Sequence, residues 1–225
     1  MGNLCFGLDL SSPKGSYCVF EDSQPLPLIL EKELPGSFTH SESLLTELGG
    51  SLSQLGISLS DITLWITASG PGSFTGLRIA HATLKAFALA TKRPILTVEA
   101  PEARAAAFLQ ESTPLQTLST LDVFSYLTAE RSVVSSFEVQ GATVRKMGEK
   151  IQPGLLSDAV SGAEAILTEE RTDISNLSNP AVRKVLFPLR ARHLRFFENL
   201  SSKKEHGLND IHALTPVYFG SSHFE

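Results

Sequence analysis

The sequence predicts an α/β fold in which mixed sheets are flanked by helices, and three observations lead to that prediction. Short apolar runs bounded by turn residues indicate strands, and leucines at helical spacing indicate helices. The order of several strands followed by a helix and a strand also occurs twice. The chain has 225 residues, of which 42% are hydrophobic. That length suits one large domain or two of about 100 residues.

Three strand candidates with short connections open the chain. They are Leu4 to Leu10, Ser16 to Glu21 and Leu26 to Leu34, and turn residues separate them, so we expect an antiparallel meander. A helix is expected next, because its leucines recur at helical spacing. They are Leu44, Leu45, Leu48, Leu52 and Leu55.

A glycine-rich loop separates the next strand from the next helix. The strand is Ile62 to Ala68, and the helix runs from Leu77 to about Thr91, before Pro94. A strand at Ile95 to Val98 and a third helix with Pro101 in its first turn complete this part.

The second half repeats the pattern with a weaker signal. A second meander is expected over Leu121 to Thr128, Ser132 to Gln140 and Thr143 to Met147, and a short strand over Ala165 to Thr168. The segment Ala181 to Leu200 is predicted as a long basic helix that Pro188 kinks or divides. We therefore expect a first lobe over residues 1–100 and a divergent second lobe over 101–225.

Charge and cysteine content narrow the class of protein. The net charge of -5, from 19 basic and 24 acidic residues, argues against nucleic-acid binding by the whole surface. Two cysteines, Cys5 and Cys18, cannot build a disulfide framework and are expected to be reduced and buried. No uncharged stretch approaches the ~18 residues of a membrane-spanning helix. A soluble, cytoplasmic chain with no membrane partner is expected.

The glycine-rich loop is the sharpest motif in the sequence. Its candidate ligand-binding residues are Gly70, Gly72, Ser73, Thr75 and Gly76. Such a loop before a helix offers hydroxyls and amide groups to an anion, yet its glycine spacing matches neither of the common phosphate-binding fingerprints. Phosphate binding and a tight turn that packs the helix onto the sheet both remain open.

The residues of this loop resemble a known family. Gly70-Pro-Gly-Ser-Phe-Thr-Gly-Leu-Arg-Ile79 is similar to the signature of the TsaB (YeaZ) family. Gly7-Leu-Asp-Leu-Ser-Ser12 resembles the family's opening strand, with Asp9 and Ser11 in the matching places. His40-Ser-Glu-Ser-Leu-Leu45 and Leu214-Thr-Pro-Val-Tyr218 resemble two further segments. The resemblance is strong from residue 4 to about residue 104; Thr128-Ala-Glu-Arg131 departs from the family pattern.

This resemblance implies a fold and a role. The fold would be that of the actin-like ATPase superfamily, with two RNase H-like lobes. The role would be in making N6-threonylcarbamoyladenosine at position 37 of tRNA, as the non-catalytic partner of a TsaD-like catalytic subunit, with a TsaE-like ATPase as the third protein. No cofactor would be required. Binding of ATP or ADP in the complex is left open, as is a homodimer of the isolated chain.

The histidine pattern agrees with a non-catalytic role. Metal binding in the TsaD relatives needs two histidines four apart on one helix, so that both face one ion. No two of the six histidines here are four apart. No metal site is expected, and the missing H-E-x-x-H motif excludes a metalloprotease.

Nucleotide chemistry remains the rival interpretation. Asp9 with Ser11 could hold a hydrated magnesium ion and a phosphate, or Asp9 could simply cap the turn that follows it. The alternative function is therefore an independent ATP-dependent kinase of the same superfamily.

Two surfaces are candidates for binding partners. The helix after the glycine loop is apolar nearly all round, so either a neighbouring element or another chain must cover its second face. The resemblance favours an interface formed by Leu44, Leu45, Leu48, Leu77, Ala80, Thr83, Leu84 and Phe87. In the basic segment 183–204, Arg190, Arg192 and Arg195 either contact the tRNA backbone or form a solvated face.

Overall fold

The chain forms eleven strands and three α-helices within the residues that the structure describes. The computed structural model describes residues 2–34, 40–111, 118–128, 131–141, 143–153, 163–168 and 183–217. The strands are β1 (Asn3–Asp9), β2 (Ser16–Asp22), β3 (Leu28–Glu33), β4 (Ile62–Gly70), β5 (Ile95–Glu99), β6 (Thr120–Thr128), β7 (Arg131–Gln140), β8 (Thr143–Pro153), β9 (Ala165–Thr168), β10 (Arg183–Leu186) and β11 (Lys204–His206). The helices are α1 (His40–Gln54), α2 (Phe74–Thr91) and α3 (Ala100–Glu111).

The strands form two sheets of related topology. The first sheet has the order β11-β5-β4-β1-β2-β3, and the second has the order β10-β9-β6-β7-β8. In each sheet three consecutive strands form an antiparallel meander; a fourth strand pairs in parallel with the first of them, and a fifth pairs in parallel with the fourth. The predicted mixed sheets flanked by helices are confirmed. Because β11 pairs with β5, part of the C-terminal half completes the first sheet; the boundary at residue 100 stays a prediction.

Helices α1 and α2 cover the outer face of the first sheet. Leu44, Leu48 and Leu52 from α1 and Leu84 from α2 pack with Trp65 of β4 in one apolar cluster. This burial stabilises both helices far more than their intrinsic propensity does. Among the helices that the structure describes, none is long and apolar enough to cross a membrane.

Helix α3 lies between the two sheets and is buried over most of its length. Its Arg104 is fully buried and donates to the carbonyl oxygens of Phe187, at 2.9 Å, and Phe124, at 2.6 Å. Its Glu102, also fully buried, accepts hydrogen bonds from the backbone of Ser201 and Ser202 at 2.7 and 2.8 Å. Buried charges are tolerated here because each has hydrogen-bond partners.

The long helix predicted over Ala181 to Leu200 is wrong. Residues 183–186 form β10, which pairs in parallel with β9, and a 3-10 helix follows over Ala191–Asn199. Pro188 separates the two, since proline lacks the N–H that a continuous helix needs. Residues 181 and 182 lie outside the described part of the chain. The sequence pattern misled because a short strand and a short helix in succession can carry the same apolar residues as one long helix.

Three histidines are buried in or beside the first sheet. His81 Nε2 lies 3.0 Å from the carbonyl oxygen of Ala68, and His206 Nε2 lies 3.2 Å from Thr97 Oγ1. His193 Nδ1 accepts a 3.1 Å hydrogen bond from the backbone N–H of Arg190. Burial is the main cause that lowers the pKa of each of the three imidazoles. All three are therefore neutral at pH 7.

These histidines should make the fold sensitive to mild acid. A native pKa below the unfolded value of about 6.5 means that the unfolded chain takes up protons first as the pH falls. The free energy of unfolding should therefore decrease below pH 6.5. We expect His81→Gln, whose amide can still donate to Ala68, to flatten that decrease. Urea denaturation at several pH values between 7.5 and 5 measures the free energy of unfolding, and His212→Gln, at an exposed position, is the control. If the free energy of unfolding fell equally steeply with pH in the two variants, the prediction would be contradicted.

Candidate functional site

The end of β1 and the glycine loop meet at one edge of the first sheet. Asp9 is fully buried, and its Oδ1 accepts a 3.0 Å hydrogen bond from the backbone N–H of Ser11 and another from the Ser11 hydroxyl. Its Oδ2 is buried without a hydrogen-bond partner among the described residues. Burial raises the pKa of Asp9, and the hydrogen bonds from Ser11 oppose that rise. Asp9 therefore caps the turn that follows β1.

Three glycines of the loop pack directly against other parts of the backbone. A Cβ at Gly72 would lie 2.6 Å from Cβ of Ser11, and one at Gly76 would overlap the carbonyl oxygen of Leu10. Gly70 has a φ of +122°, and a Cβ there would lie 2.6 Å from the carbonyl oxygen of Val217. The positive φ and the close approaches explain why glycine occupies these positions.

Backbone hydrogen bonds hold the glycine loop to the turn after β1 and the C-terminal segment to the end of β4. The N–H of Ser73 donates to the carbonyl oxygen of Ser11 at 2.8 Å, and the N–H of Val217 donates to that of Ser69 at 2.8 Å. Ser73 Oγ accepts from the N–H of Gly76 at 3.2 Å and so caps α2. The tight-turn interpretation thus agrees with the geometry.

The described residues do not fit a magnesium–nucleotide complex in this conformation. Asp9 is fully buried, and the glycine loop packs directly against Leu10 and Ser11, which follow Asp9. No three histidine, cysteine, aspartate or glutamate side chains in the described part of the chain could share a metal ion. Binding of ATP or ADP within a complex stays a prediction. Thr75 is exposed, as is Phe74, whose ring carries the Arg78 guanidinium 4.2 Å from its centroid.

Five of the eight predicted interface residues are buried in the chain's own core. Leu44, Leu48, Leu77, Ala80 and Leu84 are each at most 1% exposed, because α1 and α2 turn these side chains toward the first sheet. Apolar residues at helical spacing face the nearest apolar surface, which here is their own sheet; a part of these five residues in an interface stays a prediction. The other three, Leu45, Thr83 and Phe87, are exposed or half-buried.

A groove open to solvent is lined by two of these three residues, Leu45 and Phe87. Leu45 is 56% exposed and lines the groove with Gly49 of α1, Phe87 of α2 and the segment 56–59. A Cβ on Gly49 or on the adjacent Gly50 would meet nothing within 4 Å. Sequence reasoning missed these glycines. The sequence feature that could have identified them is a pair of adjacent glycines inside a predicted helix, where each glycine lowers helix stability by about 1 kcal/mol relative to alanine.

The three arginines predicted to contact tRNA are paired within the chain. Arg190 forms an ion pair with Glu33, Arg192 pairs with Glu31 at 3.1 Å and with Glu111 at 3.3 Å, and Arg195 lies 3.7 Å from Glu111.

Glu111 is the centre of this cluster. Burial would raise its pKa, but neighbouring His193 and Arg192 outweigh burial and lower it to about 2. Glutamates of β3 and α3 therefore pair with all three of these arginines, although a contact of the arginines with tRNA stays a prediction.

The role of the loop glycines gives a stability prediction. Gly76→Ala should destabilise the protein by about 2 kcal/mol, because the new methyl group overlaps the Leu10 carbonyl oxygen. Gly50→Ala is the control: its methyl group meets open space and should stabilise α1 by about 1 kcal/mol. Chemical denaturation of both variants measures the difference. Equal effects would show that the loop does not pack as described.

Comparison with known proteins identifies a family model that matches the sequence and solved structures that share its fold. Residues 36–165, more than half of the chain, match the family model described as TsaD, tRNA N6-adenosine threonylcarbamoyltransferase. No curated protein matches the sequence. YeaZ from Pseudomonas aeruginosa superposes with a TM-score of 0.74 at 20% identity, over 96% of this chain and 100% of that chain.

A second structure agrees with the first. An uncharacterized protein with similarity to peptidase YeaZ, from Pseudomonas aeruginosa, gives a TM-score of 0.72 at 19% identity, over 96% of this chain and 99% of that chain. At these identities the two structures establish that the chain has the fold of YeaZ. The family model establishes membership: the chain belongs to the TsaD family, with the fold of YeaZ (TsaB).

Proposed function

We propose that this protein is the non-catalytic subunit that pairs with a TsaD-like catalytic subunit in the synthesis of N6-threonylcarbamoyladenosine on tRNA. The observation that carries the proposal is the family match over residues 36–165, which spans both helices of the open groove. A TsaE-like ATPase and tRNA would be the further partners, and the cytoplasm would be the compartment.

The groove supports pairing through helices. Its rim exposes Leu45, and a partner helix can approach closely at Gly49 because neither Gly49 nor Gly50 carries a side chain. Burying an exposed leucine of this size against a partner is worth roughly 2 kcal/mol. A large side chain at the centre of such an interface often dominates its affinity.

The chemistry of the site supports a non-catalytic role. Asp9 is buried and engaged by Ser11, and the glycine loop is closed on β1. His81, on α2, is buried against the carbonyl oxygen of Ala68. In the described part of the chain, no three histidine, cysteine, aspartate or glutamate side chains could share a metal ion, and both Asp9 and His81 are buried. The kinase alternative needs these loops to separate before a nucleotide could bind.

Leu45→Glu should weaken pairing with the TsaD-like subunit by at least 30-fold, because it places a charge in the apolar groove. Folding should be unaffected, since Leu45 is 56% exposed. Leu186→Glu, 58% exposed on β10, is the matched control and should pair normally. Co-purification followed by calorimetric titration measures both. Normal pairing of Leu45→Glu would reject the groove as the interface.

Reconstitution tests the function itself. The TsaD-like and TsaE-like proteins, ATP, threonylcarbamoyl-adenylate and tRNA should give modified adenosine only when this chain is added. The chain alone should neither modify tRNA nor turn over nucleotide. Mass spectrometry of digested tRNA measures the product. Equal product without the chain, or sustained ATP turnover by the chain alone, would overturn the proposal.

A further inference from the structure

A row of cations runs along one flank of α2. Arg78, Lys85 and Lys92 are spaced seven residues apart. Seven residues are close to two helical turns, so the first two lie on the same flank and Lys92 follows at the end of the helix. At 1.5 Å per residue the row is about 21 Å long. Arg93 comes directly after it.

This flank lies on the opposite side of α2 from the groove. Helical geometry places Thr83 and Phe87 on the side of α2 that faces α1, and Phe87 lines the groove. Lys85 lies on the side of β11, where its charge acts on His81 and His206. A partner in the groove therefore leaves the cationic row uncovered.

Strand β11 adds a fifth cation on the same face of the sheet. Lys204 pairs with Thr97, and His206 pairs with Ile95, which belongs to the cluster under α2. Since side chains alternate along a strand, Lys204 and His206 point to the α2 face and Glu205 points to the other face. We call Arg78, Lys85, Lys92, Arg93 and Lys204 the basic flank.

The basic flank differs from other cations of the protein in lacking acidic partners. In the described part of the chain, no carboxylate lies within 4.0 Å of any of its five members. Cations elsewhere are paired with carboxylates, among them Lys32, Arg145, Lys146, Arg190, Arg192 and Arg195. Near the flank, Asp210 Oδ2 lies 3.9 Å from Nδ1 of His206, which is not a member of the flank.

Lys92 occupies a position that normally favours glycine. It is the C-cap of α2 in the left-handed conformation, with φ of 57° and ψ of 40°, and its N–H donates to the carbonyl oxygen of Ala88. Glycine adopts this conformation without a Cβ penalty. A lysine at this position has a strained backbone conformation because it carries a Cβ, although its charge interacts favourably with the helix dipole.

We propose that the basic flank binds the phosphate backbone of RNA, and that in the modification complex this RNA is the tRNA substrate. The identification of the RNA as tRNA rests on the proposed function, whereas the binding of a polyanion rests only on the charges of the basic flank. Closely spaced phosphates can engage all the members of such a row at once. Contacts to phosphates position an RNA without reading its sequence, so we expect this contact to be independent of sequence.

The test compares two double variants of the full chain. Lys85→Ala with Lys92→Gly removes two flank charges, and Arg145→Ala with Lys150→Ala removes two charges from β8 of the second sheet. Binding of a fluorescent, unmodified tRNA transcript is measured by anisotropy over a series of KCl concentrations. Polyglutamate of similar length serves as a competitor.

The flank variant should bind tRNA about 10-fold more weakly near 0.1 M salt. Its slope of log K against log salt should be shallower by about 1.5, since each lost phosphate contact accounts for about 0.7 to 0.9. The β8 variant should bind like the unmodified chain. Lys92→Gly alone should raise the melting temperature while weakening binding, which excludes unfolding as the cause.

An unchanged salt slope in the flank variant would overturn the inference, and so would an equal loss in the β8 variant. Polyglutamate that competes as well as tRNA at equal charge would also overturn it, because the flank would then fit any acidic chain. Pairing with the TsaD-like subunit is measured on the same samples. Normal pairing with unchanged salt slopes rejects the inference alone, whereas failed pairing with a flank-dependent slope rejects the proposed function alone.

Discussion

The structure depends on two buried charges of α3. Arg104 donates hydrogen bonds to the carbonyl oxygens of Phe124 and Phe187, and Glu102 accepts hydrogen bonds from the backbone N–H groups of Ser201 and Ser202. These bonds connect the second sheet, the central helix and the segment that returns to the first sheet. Removing either side chain would leave buried backbone groups without a partner, at a cost of about 1–3 kcal/mol for each group.

The returning segment links this constraint to the functional surfaces. Once residues 201 and 202 are fixed by Glu102, β11 pairs with β5, and Lys204 comes to lie on the α2 face of the sheet. Further along, Val217 reaches the carbonyl oxygen of Ser69 and covers Gly70. Both the basic flank and the closed glycine loop therefore need a C-terminal segment that is far away in sequence.

Helix α2 separates the surfaces proposed for its partners. Its inner face is buried on the sheet, the side toward α1 borders an apolar groove, and the side toward β11 carries unpaired cations. Such a division lets one rigid helix contact a protein and an RNA without competition between them. The net charge of -5 is compatible with this arrangement, because acidic residues on β3 and α3 neutralise the arginines of the 3-10 segment.

The sequence by itself determined the fold class, the first meander, the positions of α1 and α2, and the family resemblance. These features are local: apolar periodicity, turn residues and a ten-residue motif encode them. The tertiary structure decided which apolar residues are core. Leu44 and Leu45 look equivalent in the sequence, yet the helix turns one into the sheet and the other into the solvent. It also decided which cations are free, because Arg190 and Arg192 meet Glu33 and Glu31 of a strand more than 150 residues earlier. Charge pairing and burial depend on contacts between distant segments, and no local pattern records them.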